Sequence, residues 1–97
     1  MVTRIQTVHF DASSQLVEFV EKKVAKLEKL CDDAISLEVS MKLIKPETAL
    51  NKEVGLSLKA GCGDFFASKV CETFEDALLG AIDALKAQIE KKREKNR

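Results

Sequence analysis

Between residues 35 and 60 the chain twice alternates apolar and polar side chains, and that period of two constrains the fold more than any other feature. Ile35, Leu37, Val39, Met41 and Leu43 fall on one side, with Ser36, Glu38, Ser40 and Lys42 on the other. Val54, Leu56, Leu58 and Ala60 repeat the pattern against Glu53, Gly55, Ser57 and Lys59. Successive residues of a strand point to opposite faces, so both stretches predict strands with one dry face. Lys45-Pro46-Glu47-Thr48 turns between them, because proline has no N–H to give to a ladder. A dry sheet face must be covered, and the flanking sequence supplies the cover.

Leu16, Phe19, Val20, Val24, Leu27, Leu30 and Cys31 recur at three-and-four spacing, the signature of an amphipathic helix. Asp11 and Ser13 offer capping oxygens before it, and Asp32-Asp33 begins a turn after it. Thr73 caps a second helix with the stripe Phe74, Ala77, Leu78, Ala81, Ile82, Leu85, Ile89. Beyond Ile89 the stripe stops, so the charged end at 90–97 is expected to project into solvent and fray. Residues 2–9 read as a first strand with Val2, Ile5 and Val8 as apolar members. Gly61-Cys62-Gly63-Asp64 reads as a hairpin turn into a fourth strand from Phe65 to Val70, where one of the adjacent phenylalanines must leave the dry side. The order β-α-β-β-β-α predicts an α+β two-layer sandwich: a four-stranded sheet with both helices on one face. A helical crossover between strands one and two makes them parallel. Residues 1–97 are long enough for a single domain that buries roughly 60–70% of its unfolded surface.

Several function classes lack their residues. No apolar run approaches the roughly 20 residues of a membrane span. The start Met1-Val2-Thr3-Arg4 enters strand-like sequence without a signal-peptide apolar region, so a cytoplasmic protein with no membrane partner is expected. Cys31, Cys62 and Cys71 are odd in number and show no C-x-x-C spacing, which predicts free thiols and no metal site. His9 is the only histidine, and no phosphate-binding glycine loop, nucleophile elbow or zinc spacing is present. The expectation is no enzyme, no catalytic residues, no cofactor and no small-molecule substrate.

Charge is the positive clue. The whole chain carries 16 basic and 16 acidic residues. Lys86 to Arg97 hold six of the basic and two of the acidic ones, so a −4 body ends in a +4 segment. At 100° per residue, Lys22, Lys26 and Lys29 fall within roughly 60° of one another on the first helix. Lys23 lies nearer the apolar border, and Glu21 and Glu28 share the opposite flank. On the second helix Lys86, Arg93 and Arg97 share one flank. Helices lying side by side would let these basic flanks edge one groove for a polyanion. The ordinary reading is a solvated face with weak pairs such as Glu18 with Lys22, worth about 0.2–0.5 kcal/mol.

Particular motifs narrow this. Val8-His9-Phe10-Asp11-Ala12 precedes Glu21-Lys22-Lys23-Val24-Ala25-Lys26-Leu27-Glu28-Lys29, and Gly63-Asp64-Phe65-Phe66-Ala67-Ser68 precedes Thr73-Phe74-Glu75-Asp76-Ala77. Over essentially its whole length the chain resembles the short form of the ribosome hibernation-promoting factor and ribosome-associated translation inhibitor family. The resemblance implies the β-α-β-β-β-α fold reached above. It also implies a non-catalytic protein that occupies the mRNA and tRNA channel of the small ribosomal subunit and silences translation in stationary phase. Its partners would be that subunit and its rRNA, and the protein would be monomeric off the ribosome. The family's basic positions on the first helix correspond to Lys23, Lys26 and Lys29, and one on the second to Lys91. The candidate rRNA-binding set is therefore Lys22, Lys23, Lys26, Lys29, Lys86, Lys91 and Arg93. Where familiar members are basic this chain has Val8, Ala84 and Ala87, with Lys86 placed to compensate. The dimerisation domain of the long form has no counterpart in these residues. The alternatives are a stand-alone double-stranded-RNA-binding module, whose α-β-β-β-α order is contained in this one, and an adaptor acting through the polar sheet face. A single-strand platform lacks the aromatics it needs.

Overall fold

In the computed structural model, which describes residues 1–8, 10–44 and 50–95, the order is β1 (Val2–Val8), α1 (Ser14–Leu30), β2 (Ala34–Leu43), β3 (Lys52–Ala60), β4 (Gly63–Cys71) and α2 (Phe74–Lys95). The expected turn at Pro46, His9 and Arg97 lie outside the described residues, as do the side chains of 93–95. Ser13 starts α1 by accepting the Leu16 N–H at 3.1 Å on its Oγ, and Cys31 ends it with its N–H on the Leu27 carbonyl at 3.1 Å. Thr73 Oγ1 accepts the Asp76 N–H at 3.1 Å in the same way, and Glu75 and Asp76 face the positive end of the α2 dipole. The turn between β3 and β4 has only two residues, Gly61 and Cys62. It closes because Gly63 adopts φ of 140°, which side chains disfavour.

The strands lie in the order β1-β2-β3-β4, with β1 parallel to β2 and the other pairs antiparallel. Leu37, Val39 and Met41 align with Leu58, Leu56 and Val54, and Phe65 and Ala67 extend the same dry face. Over it lie Val20, Val24 and Leu27 of α1 and Ala77, Leu78, Ala81 and Leu85 of α2. Each fully buried Leu, Val or Met side chain contributes about 1.5–3 kcal/mol. The opposite face is open and reads across the strands as rows, among them Arg4, Glu38, Ser57, Phe66 and Val8, Lys42, Glu53, Val70. Of the two phenylalanines, Phe65 is buried, while Phe66 is 61% exposed with its ring over Gly55.

The alternation misleads at two places. Ile35 was expected in the core but is exposed, because the β2–β3 register shifts between Ala34 and Ser36 and turns it out of phase. Of the three apolar residues expected to anchor β1, only Ile5 packs toward the helices; Val2 and Val8 align with Ser36 and Lys42 on the open face. Strand β4 is an edge, and α2 clasps it: the Gln88 amide nitrogen donates to the Phe66 carbonyl at 2.6 Å, and its oxygen accepts the Phe66 N–H at 3.3 Å. One side chain thus takes the place of a neighbouring strand.

Candidate nucleic-acid interface

The two helices run side by side in the same direction. Near their starts the Phe10 and Phe74 rings stack with centroids 4.3 Å apart. Towards the other end, Leu30 and Cys31 share a hollow with Ile89. Which flank of α1 faces α2 follows from its acidic side. Glu28 accepts from the N-terminal ammonium of Met1 at 2.7 Å, and Val17 and Glu21 line a hollow with Thr3, Ile5 and Thr7 of β1. The acidic flank therefore overlooks β1, and the lysine flank is turned to α2. With Val20 at zero, Lys23 lies at about −60°, Lys26 at about −120°, and Lys22 and Lys29 near the crest. Lys22, Lys26 and Lys29 are exposed. Lys23 is half-buried, its ammonium 5.6 Å from the centre of the Phe19 ring, a cation–π contact of about 0.5–1 kcal/mol.

The same argument orients α2. Gly80 lies against the Lys69 stem, and Gln88 clasps Phe66, so this flank overlooks β4. Ala84 and Lys91 lie on it, seven residues apart. The other flank carries Ile82, Ile89 and the half-buried Lys86, with Arg93 seven residues beyond. Lys86 is level with Lys26: each stands about one turn before the point where Leu30 meets Ile89. Lys23 and Lys26 of α1 and Lys86 of α2 therefore edge the trough between the helices, while Lys22 and Lys29 stand on the crest of α1 beside it. Lys91 stands on the far flank, beside β4. Lys92, which the pattern did not single out, turns back to the hairpin, its ammonium 2.7 Å from where a Cβ on Gly63 would stand. Parallel helices also place both negative dipole ends together, so Lys29 in the last turn of α1 serves that end as well as any ligand.

A second cluster was not legible in the spacing of the cysteines. Cys31 Sγ donates to Asp33 Oδ1 at 3.1 Å, and Cys62 Sγ reaches the same oxygen at 3.8 Å. Burial, followed by the hydrogen bond and charge of Asp33, pushes the Cys31 thiol up to about 12. The Asp33 carboxyl is held below its ordinary value, chiefly by the hydrogen bond from Cys31. All three cysteines are free thiols, as expected.

Residues 3–97 match the family model described as Sigma 54 modulation protein / S30EA ribosomal protein. No curated protein sequence matches the chain. Among solved structures, a ribosomal subunit interface protein from Coxiella burnetii is similar with a TM-score of 0.82 and 17% identity, covering 97% of this chain and 99% of that one. The N-terminal domain of Thermus thermophilus Protein Y is similar with a TM-score of 0.77 and 17% identity, covering 94% and 98%. At that identity the two structures show a shared fold.

Proposed function

The chain belongs to the sigma 54 modulation protein / S30EA ribosomal protein family, and from that membership we propose that it binds the small ribosomal subunit through rRNA phosphates and silences translation in stationary phase. The single observation that carries the reading is that the α1 flank bearing Lys23 and Lys26 is turned to the α2 flank bearing Lys86, with Lys22 and Lys29 on the crest beside it. Ammonium groups neutralise phosphates without reading bases, and structured RNA is recognised largely by shape and backbone. The body measures 47 × 23 × 16 Å, enough bulk to exclude mRNA and tRNA from a channel it occupies. Silencing is then steric competition in the cytoplasm, with no chemical step and no cofactor. Lys91 contacts RNA only where the ligand wraps round to β4.

The test is co-sedimentation with small subunits on sucrose gradients. The wild-type chain is expected to travel with them, and Lys26→Glu/Lys29→Glu to remain at the top. Unchanged co-sedimentation of that variant overturns the site. Binding to plain RNA duplex as tightly as to subunits would instead favour the double-stranded-RNA module.

A further inference from the structure

We propose that Cys31, Asp33 and Cys62 form a binding site for a thiophilic divalent metal ion, with zinc as the best fit, where the end of α1 meets the β3–β4 hairpin. Cys31 and Asp33 flank one turn and Cys62 comes from a hairpin 29 residues beyond Asp33, yet the three ligand atoms lie within 4.8 Å of one another. A tetrahedral zinc ion with ordinary Zn–S and Zn–O bonds sets its ligands about 3.5 Å apart for sulfur to oxygen and about 3.8 Å for sulfur to sulfur. The two sulfur–oxygen distances, 3.1 and 3.8 Å, straddle the first of these. Only small shifts separate the metal-free arrangement from a coordinating one.

The backbone holds the donors in place. Cys31 caps α1 through its N–H, and its carbonyl accepts the Ala34 N–H at 3.1 Å. The Asp33 carbonyl accepts the Gly61 N–H at 3.0 Å, which fastens the turn before β2 to the residue preceding Cys62. The neighbouring hollow, 210 Å³ in volume and lined by Leu30, Cys31, Asp32, Asp33, Cys62 and Ile89, leaves room for a water as fourth ligand. Two sulfurs and one carboxylate favour zinc over magnesium or calcium, which take oxygen ligands. The ion replaces the two S–H protons that now point at the carboxylate: one M²⁺ enters, two M–S bonds and one M–O bond form, and two H⁺ leave to solvent. The inference rests on neither the family nor the trough.

The test uses the whole chain, freed of metal and kept reduced with a non-chelating phosphine, and titrated with Co²⁺ alone. The expected result is a thiolate-to-cobalt charge-transfer band that saturates at one ion per chain and is bleached by Zn²⁺. Cys62→Ser removes an exposed thiol and leaves the core intact, and it is expected to abolish the band; Asp33→Asn should weaken binding at least about tenfold. Cys71→Ser should bind as the wild type does. The proposal is overturned if no band forms, if Cys62→Ser keeps it in full, or if the cluster yields only a Cys31–Cys62 disulfide under peroxide while the reduced chain takes up no metal.

Discussion

The trough makes a quantitative prediction about salt. Binding that neutralises phosphates releases counterions, and the affinity falls with a log–log slope of about 0.7–0.9 per phosphate. In the proposed site Lys26 and Lys86 edge the trough and Lys22 and Lys29 stand on the adjoining crest, four cations whose ammonium groups are not already set against a ring. A slope of about −2.8 to −3.6 follows, a loss of about 50–150-fold between 50 and 200 mM salt. Lys26→Ala/Lys86→Ala removes one cation from each helix at the same level, and its slope should drop to about −1.4 to −1.8, a loss of about 7–12-fold. Lys91→Ala removes the same charge from the β4 flank and should leave the slope within about 0.3 of the wild type, less than half of one contact. Fluorescence anisotropy with a labelled small-subunit rRNA fragment, repeated over a salt series, measures all three. The reasoning fails if the double variant keeps the wild-type slope. It fails equally if Lys91→Ala flattens the slope as much as either trough lysine, because charge would then act without regard to which groove holds it.

Two further outcomes follow from the fold. Gly63→Ala should cost about 1–3 kcal/mol, since alanine is strained at φ of 140° and its Cβ would meet the Lys92 ammonium; Gly55→Ala, whose Cβ meets the Phe66 ring at an ordinary 3.8 Å, should stay within about 0.5 kcal/mol. Thermal melts of the pair decide this, at about 4–8 °C per kcal/mol for a domain of this size. In the metal-free reduced protein, the Cys31 thiol titrates near 12 when folded and near its ordinary 9.0 when unfolded. The stability it lends is therefore complete below pH 9 and is lost as pH rises towards 12, by no more than about 4 kcal/mol. Denaturant melts from pH 8 to 10.5 should begin to show the decline, and the Cys31→Ala curve should be flatter. Parallel curves would remove the thiol as the cause.

What the sequence discloses and what it hides divide along one line: periodicity reports which way a side chain faces within its own element, never what the neighbouring element brings to meet it. The alternation of Leu37, Val39 and Met41 needs no partner to be read, and those residues are buried as expected. Ile35 obeys the same alternation and is exposed, because a shift of pairing between Ala34 and Ser36 belongs to the β2–β3 pair and leaves no mark on β2 alone. The lysines behave likewise. Their sorting to one flank of α1 is visible at 100° per residue, but the direction of that flank depends on Glu28 reaching the N-terminal ammonium across the β1 edge. That Lys86 and Lys91 lie on different flanks of α2 is visible at 100° per residue, but only the Gln88 clasp on Phe66 reveals which flank overlooks β4. The thiol cluster is the extreme case. Asp33 and Cys62 are 29 residues apart, and no local spacing joins them. It is the pairing seen only in the structure, Ala34 opposite Ala60 and the Gly61 N–H on the Asp33 carbonyl, that carries the hairpin and Cys62 to the turn before β2. The most informative contacts in this small protein are therefore the ones that fasten elements edge to edge, which is also where the two helices acquire a shared trough and the cysteines a shared carboxylate.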